Sequence, residues 1–284
     1  MNDDLITYDK IVETKDSKIK QLRWDMATGL QKIDNLEPSK YLKTLIKDNV
    51  NNKITVDEVE EAVHEYYKKI NLSDKKNRDQ NECDVVSARI NRLLNDPSFT
   101  FHPTSLKVIH KSLFKGIYDF AGKYRTYNIE KQEPILNSAT VIYGDWEAVE
   151  DTLDYDFKEE QSFNYQELTI TEVVEHISKF TSAIWQVHAF GEGNTRTTAV
   201  LIEKHLRTQG FNIDNELFKE HSLYFRNALV RSNYYSPDRT IRPTNEYLHK
   251  FYDNLINNGK HKLNNNDLFI DGTKNKEKDE DIKI

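Results

Sequence analysis

One run of nine residues, His188-Ala189-Phe190-Gly191-Glu192-Gly193-Asn194-Thr195-Arg196, holds side chains able to handle a phosphate. Gly191 and Gly193 let the backbone approach a ligand, and successive N–H groups at a helix start form an anion nest. Arg196, just inside the following helix, adds a charge-assisted grip on phosphate oxygens. Glu192 is out of place in an anion site unless a cation lies between it and the anion. Mg²⁺, which one or two carboxylates hold together with substrate phosphates, resolves that conflict. His188, across the same loop, is of the type that serves as a general base near neutral pH. Together these residues point to Mg²⁺-nucleotide chemistry. On spacing alone they also read as a glycine-rich helix–helix turn beside a surface histidine.

Rival chemistries find less support. His176 and His188 stand twelve apart with no HExxH, which argues against a zinc protease, and no GxxxxGK[ST] phosphate loop is present. Cys83 is the sole cysteine, so an intramolecular disulfide framework and a cysteine-built zinc site are both excluded. Acidic residues outnumber basic ones 47 to 40, which leaves no single-sign basic field for nucleic acid. The polar start MNDDLITYDK reads as no secretory signal, and no apolar run approaches membrane-spanning length. The expectation is a soluble, cytoplasmic chain with no nucleic-acid or membrane partner.

The elements that must position the loop are helical. Only 9 Gly and 6 Pro punctuate 284 residues, which favours long helices over many short strands. Thr169 and Glu172 form a capping box ahead of Val173, Ile177, Phe180, Ile184 and Val187, an apolar face that ends at His188. A second helix starts near Thr195 and runs to a Gly210 cap. Residues 15–70 read as a small three-helix module. Its first helix carries Ile19, Leu22, Met26, Leu30 and Ile33, and its third begins at the Thr55/Glu58 capping box. The polar stretch 71–82 reads as an exposed linker, with the main domain following over 83–258. Within that domain a helix is expected from Thr104 to Phe120, and a short β-hairpin around Ser138, Thr140, Val141, Ile142 and Tyr143. Trp146 and Trp185 read as core. The charged tail 274–284 reads as disordered.

The nine-residue run resembles the Fic (Fic/Doc) signature, HxFx[DE]GN-G-R followed by xxR. DFAGKYR (Asp119 to Arg125), the hairpin after it and HSLYFRNAL (His221 to Leu229) match supporting features, so the likeness covers about 83–255. The resemblance implies an all-α core with a β-hairpin flap, and transfer of AMP from ATP to a hydroxyl of a target protein, self-modification included. It implies that His188 takes the hydroxyl proton and that Glu192 holds Mg²⁺. Gly191, Gly193, Asn194 and Thr195 would cradle phosphates, the Asn194 side chain adding a donor, and Arg196 would neutralise the leaving pyrophosphate. Ser138, Thr140, Val141, Ile142 and Tyr143 would dock an extended target segment.

Two positions depart from the signature. Thr195 replaces its second glycine, and Ala199 stands where its second arginine is usual. The first module resembles the antitoxin helices that accompany Fic proteins. Aligned on LEPS, Leu30, Asp34 and Asn35 occupy their [ST]xxxE[GN] inhibitory motif, which leaves Arg196 as the only cationic partner for Asp34. The alternatives are a Fic enzyme with another donor such as UTP or GTP, one that removes AMP, or a silent scaffold whose flap binds a partner strand.

Overall fold

The structure is a computed structural model and describes residues 13–270; the expected charged tail lies outside the described residues. Ten α-helices and four short 3₁₀ turns make up the described part, with no strand among them. The helices are α1 (Ser17–Gly29), α2 (Lys40–Val50), α3 (Val56–Tyr67), α4 (Lys75–Asn95) and α5 (Pro103–Phe114), then α6 (Val149–Ser162), α7 (Ile170–Val187), α8 (Asn194–Thr208), α9 (Glu216–Asn233) and α10 (Glu246–Asn257). This is an all-α fold. No described helix is long and apolar enough to cross a membrane.

The site hangs on α7 and α8. The Thr169/Glu172 capping box starts α7, and its apolar face packs against α6, α8, α9 and α10. Helix α8 is buried along its whole course from Asn194 to Leu206, so the loop between the two is anchored at both ends.

The N-terminal helices share one apolar core with the rest: Trp24, Met26 and Leu30 join the cluster that holds Phe225 and Phe251. α1 lies between α4 and α9. Its contact with α9 is close enough to demand glycine, since a Cβ on Gly29 would sit 2.3 Å from the Phe218 carbonyl oxygen. Ser222 Oγ donates to the Gly29 carbonyl at 2.7 Å, next to a kink in α9 at His221. Buried Asp84 ties α2 and α3 to α4, accepting from the Ser39 N–H and the Tyr67 hydroxyl at 2.9 Å each.

Several local expectations need correction. The stretch 71–82 is mostly not linker: Asp74 caps α4, which opens with one mainly exposed turn and one half-buried turn before burying Cys83 and the residues beyond it. Polar composition there reports exposure, not irregular backbone. α5 stops at Phe114 instead of Phe120, because Lys115 leaves helical dihedrals. The hairpin is reduced to one antiparallel bridge between Gln132 and Thr140. Pro134 opens a 3₁₀ turn and both Asn137 and Ser138 are left-handed, so the two arms do not run on in register. Trp146 is a surface residue, 37% exposed, whereas Trp185 is buried.

Candidate functional site

His188 ends α7 in the left-handed region, at φ 48° and ψ 56°. Its ring lies against Tyr143, centroids 4.0 Å apart, with Trp185 edge-on at 5.2 Å. Nδ1 faces the Trp185 carbonyl at 3.2 Å. A carbonyl only accepts, so Nδ1 carries the hydrogen and Nε2 keeps the lone pair. Burial, together with the charges of Lys131, Arg226 and Arg125, lowers its pKa to about 3. The imidazole is therefore neutral at pH 7 and free to accept a proton.

The loop that follows is closed by its own side chains. The Asn194 side chain accepts from the Phe190 N–H (2.9 Å) and donates one amide hydrogen to the Phe190 carbonyl (2.7 Å), so it fastens the loop. Gly193 has φ 77°, and a Cβ there would meet the Phe114 ring at 2.4 Å, so a larger residue is excluded twice. Its N–H donates to Glu192 Oε1 at 2.9 Å. The α8 ladder begins with Thr197 N–H to the Gly193 carbonyl, so the amides of Asn194, Thr195 and Arg196 precede it at the positive end of the helix dipole. Thr195 Oγ1, at the position of the signature's second glycine, accepts from Trp185 Nε1 at 2.9 Å.

Two residues that carry no phosphate chemistry hold the loop from outside. Buried Arg125 donates to the carbonyls of His188 (2.7 Å), Val187 (3.1 Å), Tyr127 (2.7 Å) and Gly144. His110 accepts from the Gly122 N–H at 2.8 Å through Nδ1, so Nε2 donates to the Glu192 carbonyl at 3.0 Å. Burial lowers the His110 pKa to about 4 and keeps it neutral. Arg125 stands in the DFAGKYR stretch, which was the signal for it. His110 had none.

Arg196 is 1% exposed and already occupied. Asp34 Oδ2 lies 3.0 Å from its Nε, Glu82 Oε1 2.7 Å from Nη2, and Gln31 Oε1 3.0 Å from Nη1. The Phe114 ring lies beneath the guanidinium. Burial alone would lower the Arg196 pKa, but the Asp34 charge and the Tyr118 and Glu82 oxygens outweigh it and the net direction is upward. Asp34 thus reaches the site. Leu30 does not, being packed in the core, and Asn35 is exposed as the left-handed cap of the 3₁₀ turn Leu30–Asp34. Gln31 and Glu82 were not anticipated.

Ile33, Asp34, Lys131, Trp185, Arg226 and the loop from His188 enclose a cavity of about 10 Å³, room for about one water. Arg226 of α9 pairs with buried Glu133 through both nitrogens, at 2.5 and 2.8 Å. Of the expected docking residues, Val141 and Tyr143 are buried, Ser138 and Ile142 exposed, and Thr140 intermediate. Ile142 is 79% exposed, but its carbonyl already accepts from Gln186 Nε2 at 3.2 Å.

Residues 100–206 match the Fic/DOC family. This stretch is a Fic/DOC-family domain. The solved structure of the N-terminal Fic domain of a Bartonella effector protein (Bep) from Bartonella sp. AR 15-3, described as a substrate of the VirB T4SS, is similar in fold. The TM-score is 0.52 at 18% identity, over 67% of this chain and 86% of that one. Among curated proteins none matches. The Fic match takes in His110, Arg125, His188 and the whole loop, while Gln31, Asp34 and Glu82 lie before it and Arg226 after it.

Proposed function

We propose that the chain is a protein nucleotidyltransferase that moves AMP from ATP to a Ser, Thr or Tyr hydroxyl of a target protein, itself included, under restraint by its N-terminal helices. One observation carries this reading: a neutral histidine with a free Nε2, a carboxylate and a helix N-terminus converge on one cavity inside the Fic match.

In the step, the acceptor hydroxyl oxygen bonds to the α-phosphorus as the bond to the bridging oxygen breaks, and pyrophosphate leaves with that electron pair. His188 Nε2 takes the hydroxyl proton. Nucleotide negative charge beside the ring offsets Lys131, Arg226 and Arg125 and raises the histidine toward a useful basicity. The amides of Thr195 and Arg196 stabilise charge growing on the phosphoryl oxygens. The donor set suits Mg²⁺: no described group of three or more His, Cys, Asp or Glu forms a protein cage, and the carboxylates on the cavity are Glu192 and Asp34. Glu192 would hold the ion, with phosphate oxygens and water completing its shell, and the ion would neutralise phosphate charge.

The cavity does not admit a nucleotide while Ile33 and Asp34 wall it, which supports the restraint. Incubating the full chain and His188→Ala with α-labelled ATP, then with each other nucleotide, tests the reading. Label on the wild type alone is the expected result. Label on neither, with any nucleotide or candidate target, would leave an AMP-removing enzyme or a binding scaffold.

A further inference from the structure

Three cations line the cavity, and two of them are spent. Arg196 faces two carboxylates, Asp34 and Glu82. Arg226 is held by both oxygens of Glu133, a carboxylate with no exposure to water. Drawing Arg226 onto a polyphosphate strands a buried carboxylate, and drawing Arg196 away strands two half-buried ones, in each case a costly exchange. Lys131 differs: it lines the same cavity, is exposed, and forms no ion pair with any described carboxylate. Its backbone N–H donates to Thr140 Oγ1 at 3.3 Å. Its charge reaches His188, whose basicity it depresses. Along the first two turns of α8, Arg196 is the only cation, and Ala199 is buried and neutral.

We infer that Lys131, on the loop across from α8, supplies the free positive charge that grips the β- and γ-phosphates of the donor nucleotide. Resting on the nucleotidyltransfer reading, this makes donor binding depend on a side chain outside the glycine loop. A compact ammonium on a four-carbon stem suits the task, since it follows the phosphates without a fixed fork geometry. As pyrophosphate departs, the same charge neutralises it, so Lys131 acts on the leaving group while His188 acts on the acceptor.

The test is calorimetry of ATP, ADP and AMP with Mg²⁺ on the full chain, as wild type, Lys131→Met, Lys131→Arg and Lys158→Met. Lys158 is an exposed lysine on α6 outside the cavity, so its loss controls for net charge. The series is repeated on Asp34→Asn, whose carboxylate no longer competes. Lys131→Met is expected to weaken ATP roughly tenfold, about the effect of one modest ionic contact, and AMP much less. Lys131→Arg and Lys158→Met should stay near wild type. Equal ATP affinity in Lys131→Met and wild type overturns the assignment and leaves the transferase reading standing. If no protein in either series binds any of the three nucleotides, that reading falls and the assignment with it.

Discussion

Glu82 Oε1 lies 2.7 Å from Arg196 Nη2, so the loop arginine is held by a carboxylate of α4 as well as by Asp34 of the N-terminal segment. Removing Asp34 alone leaves a buried guanidinium with one counter-ion still in place. Removing both leaves it in need of an anion, which nucleotide phosphate supplies. Asp34→Ala should therefore raise automodification by a few-fold, and Asp34→Ala with Glu82→Gln by roughly tenfold or more. The check is the rate of self-labelling in the two variants side by side. Equal rates would mean that Glu82 plays no part in the restraint.

The close approach of α1 to α9 offers a way to loosen the restraint without touching the site. A Cβ on Gly29 would stand 2.3 Å from the Phe218 carbonyl, so Gly29→Ala must lever α1 and the turn carrying Gln31 and Asp34 away from α9. The expected cost is about 1–3 kcal/mol, as for other overpacked contacts. A lowered thermal midpoint together with faster self-labelling is the predicted pair of results. A lower midpoint with unchanged labelling would separate packing from regulation.

Acid should unfold this protein in two windows. Burial lowers His188 to about 3 and His110 to about 4, so unfolding makes both bind protons below 6.5. Burial alone would raise Glu160. Hydrogen bonds from His176, His205 and Tyr165 outweigh it and hold the carboxyl at about 2. In every case the unfolded chain binds more protons, so stability rises with pH. The histidine contribution is complete above 6.5 and lost toward 3. That of Glu160 is complete above 4.5 and lost toward 2. Denaturant titrations from pH 8 to pH 3 should show stability falling from about pH 6.5, the unperturbed histidine value. Glu160→Gln should lose about 1–3 kcal/mol at pH 7, since it weakens the buried hydrogen bonds with His176, His205 and Tyr165. A flat profile between pH 7 and 5 would contradict the buried neutral histidines.

What was legible in the sequence was local. The Thr55/Glu58 and Thr169/Glu172 capping boxes and the apolar face of α7 follow from residues three or four apart, and the structure forms both boxes. The Asp34–Arg196 pair was reachable because one arginine remained for one carboxylate. Gln31 and Glu82 reach Arg196 across 165 and 114 residues, and Glu133 meets Arg226 across 93. No local spacing announces such partners. The polar start of α4 misled for a related reason: exposed helix and linker share a composition, and only the Asp74 cap tells them apart.

The buried bond from Trp185 Nε1 to Thr195 Oγ1, at 2.9 Å, gives the unusual threonine a structural cost of removal. Trp185 is 1% exposed, so losing the hydroxyl strips a buried N–H of its acceptor. Leaving such a donor unsatisfied costs about 1–3 kcal/mol. Thr195→Ser keeps the oxygen and should unfold close to wild type. Thr195→Val keeps the shape but not the oxygen and should lose that amount. Thr195→Gly restores the glycine of the Fic signature, yet it should be the least stable of the three, since glycine in a helix adds roughly 1 kcal/mol. Chemical denaturation of the three variants gives the order directly. If Thr195→Val unfolds with wild type, the indole has another acceptor and the threonine is not what holds Trp185 against the loop.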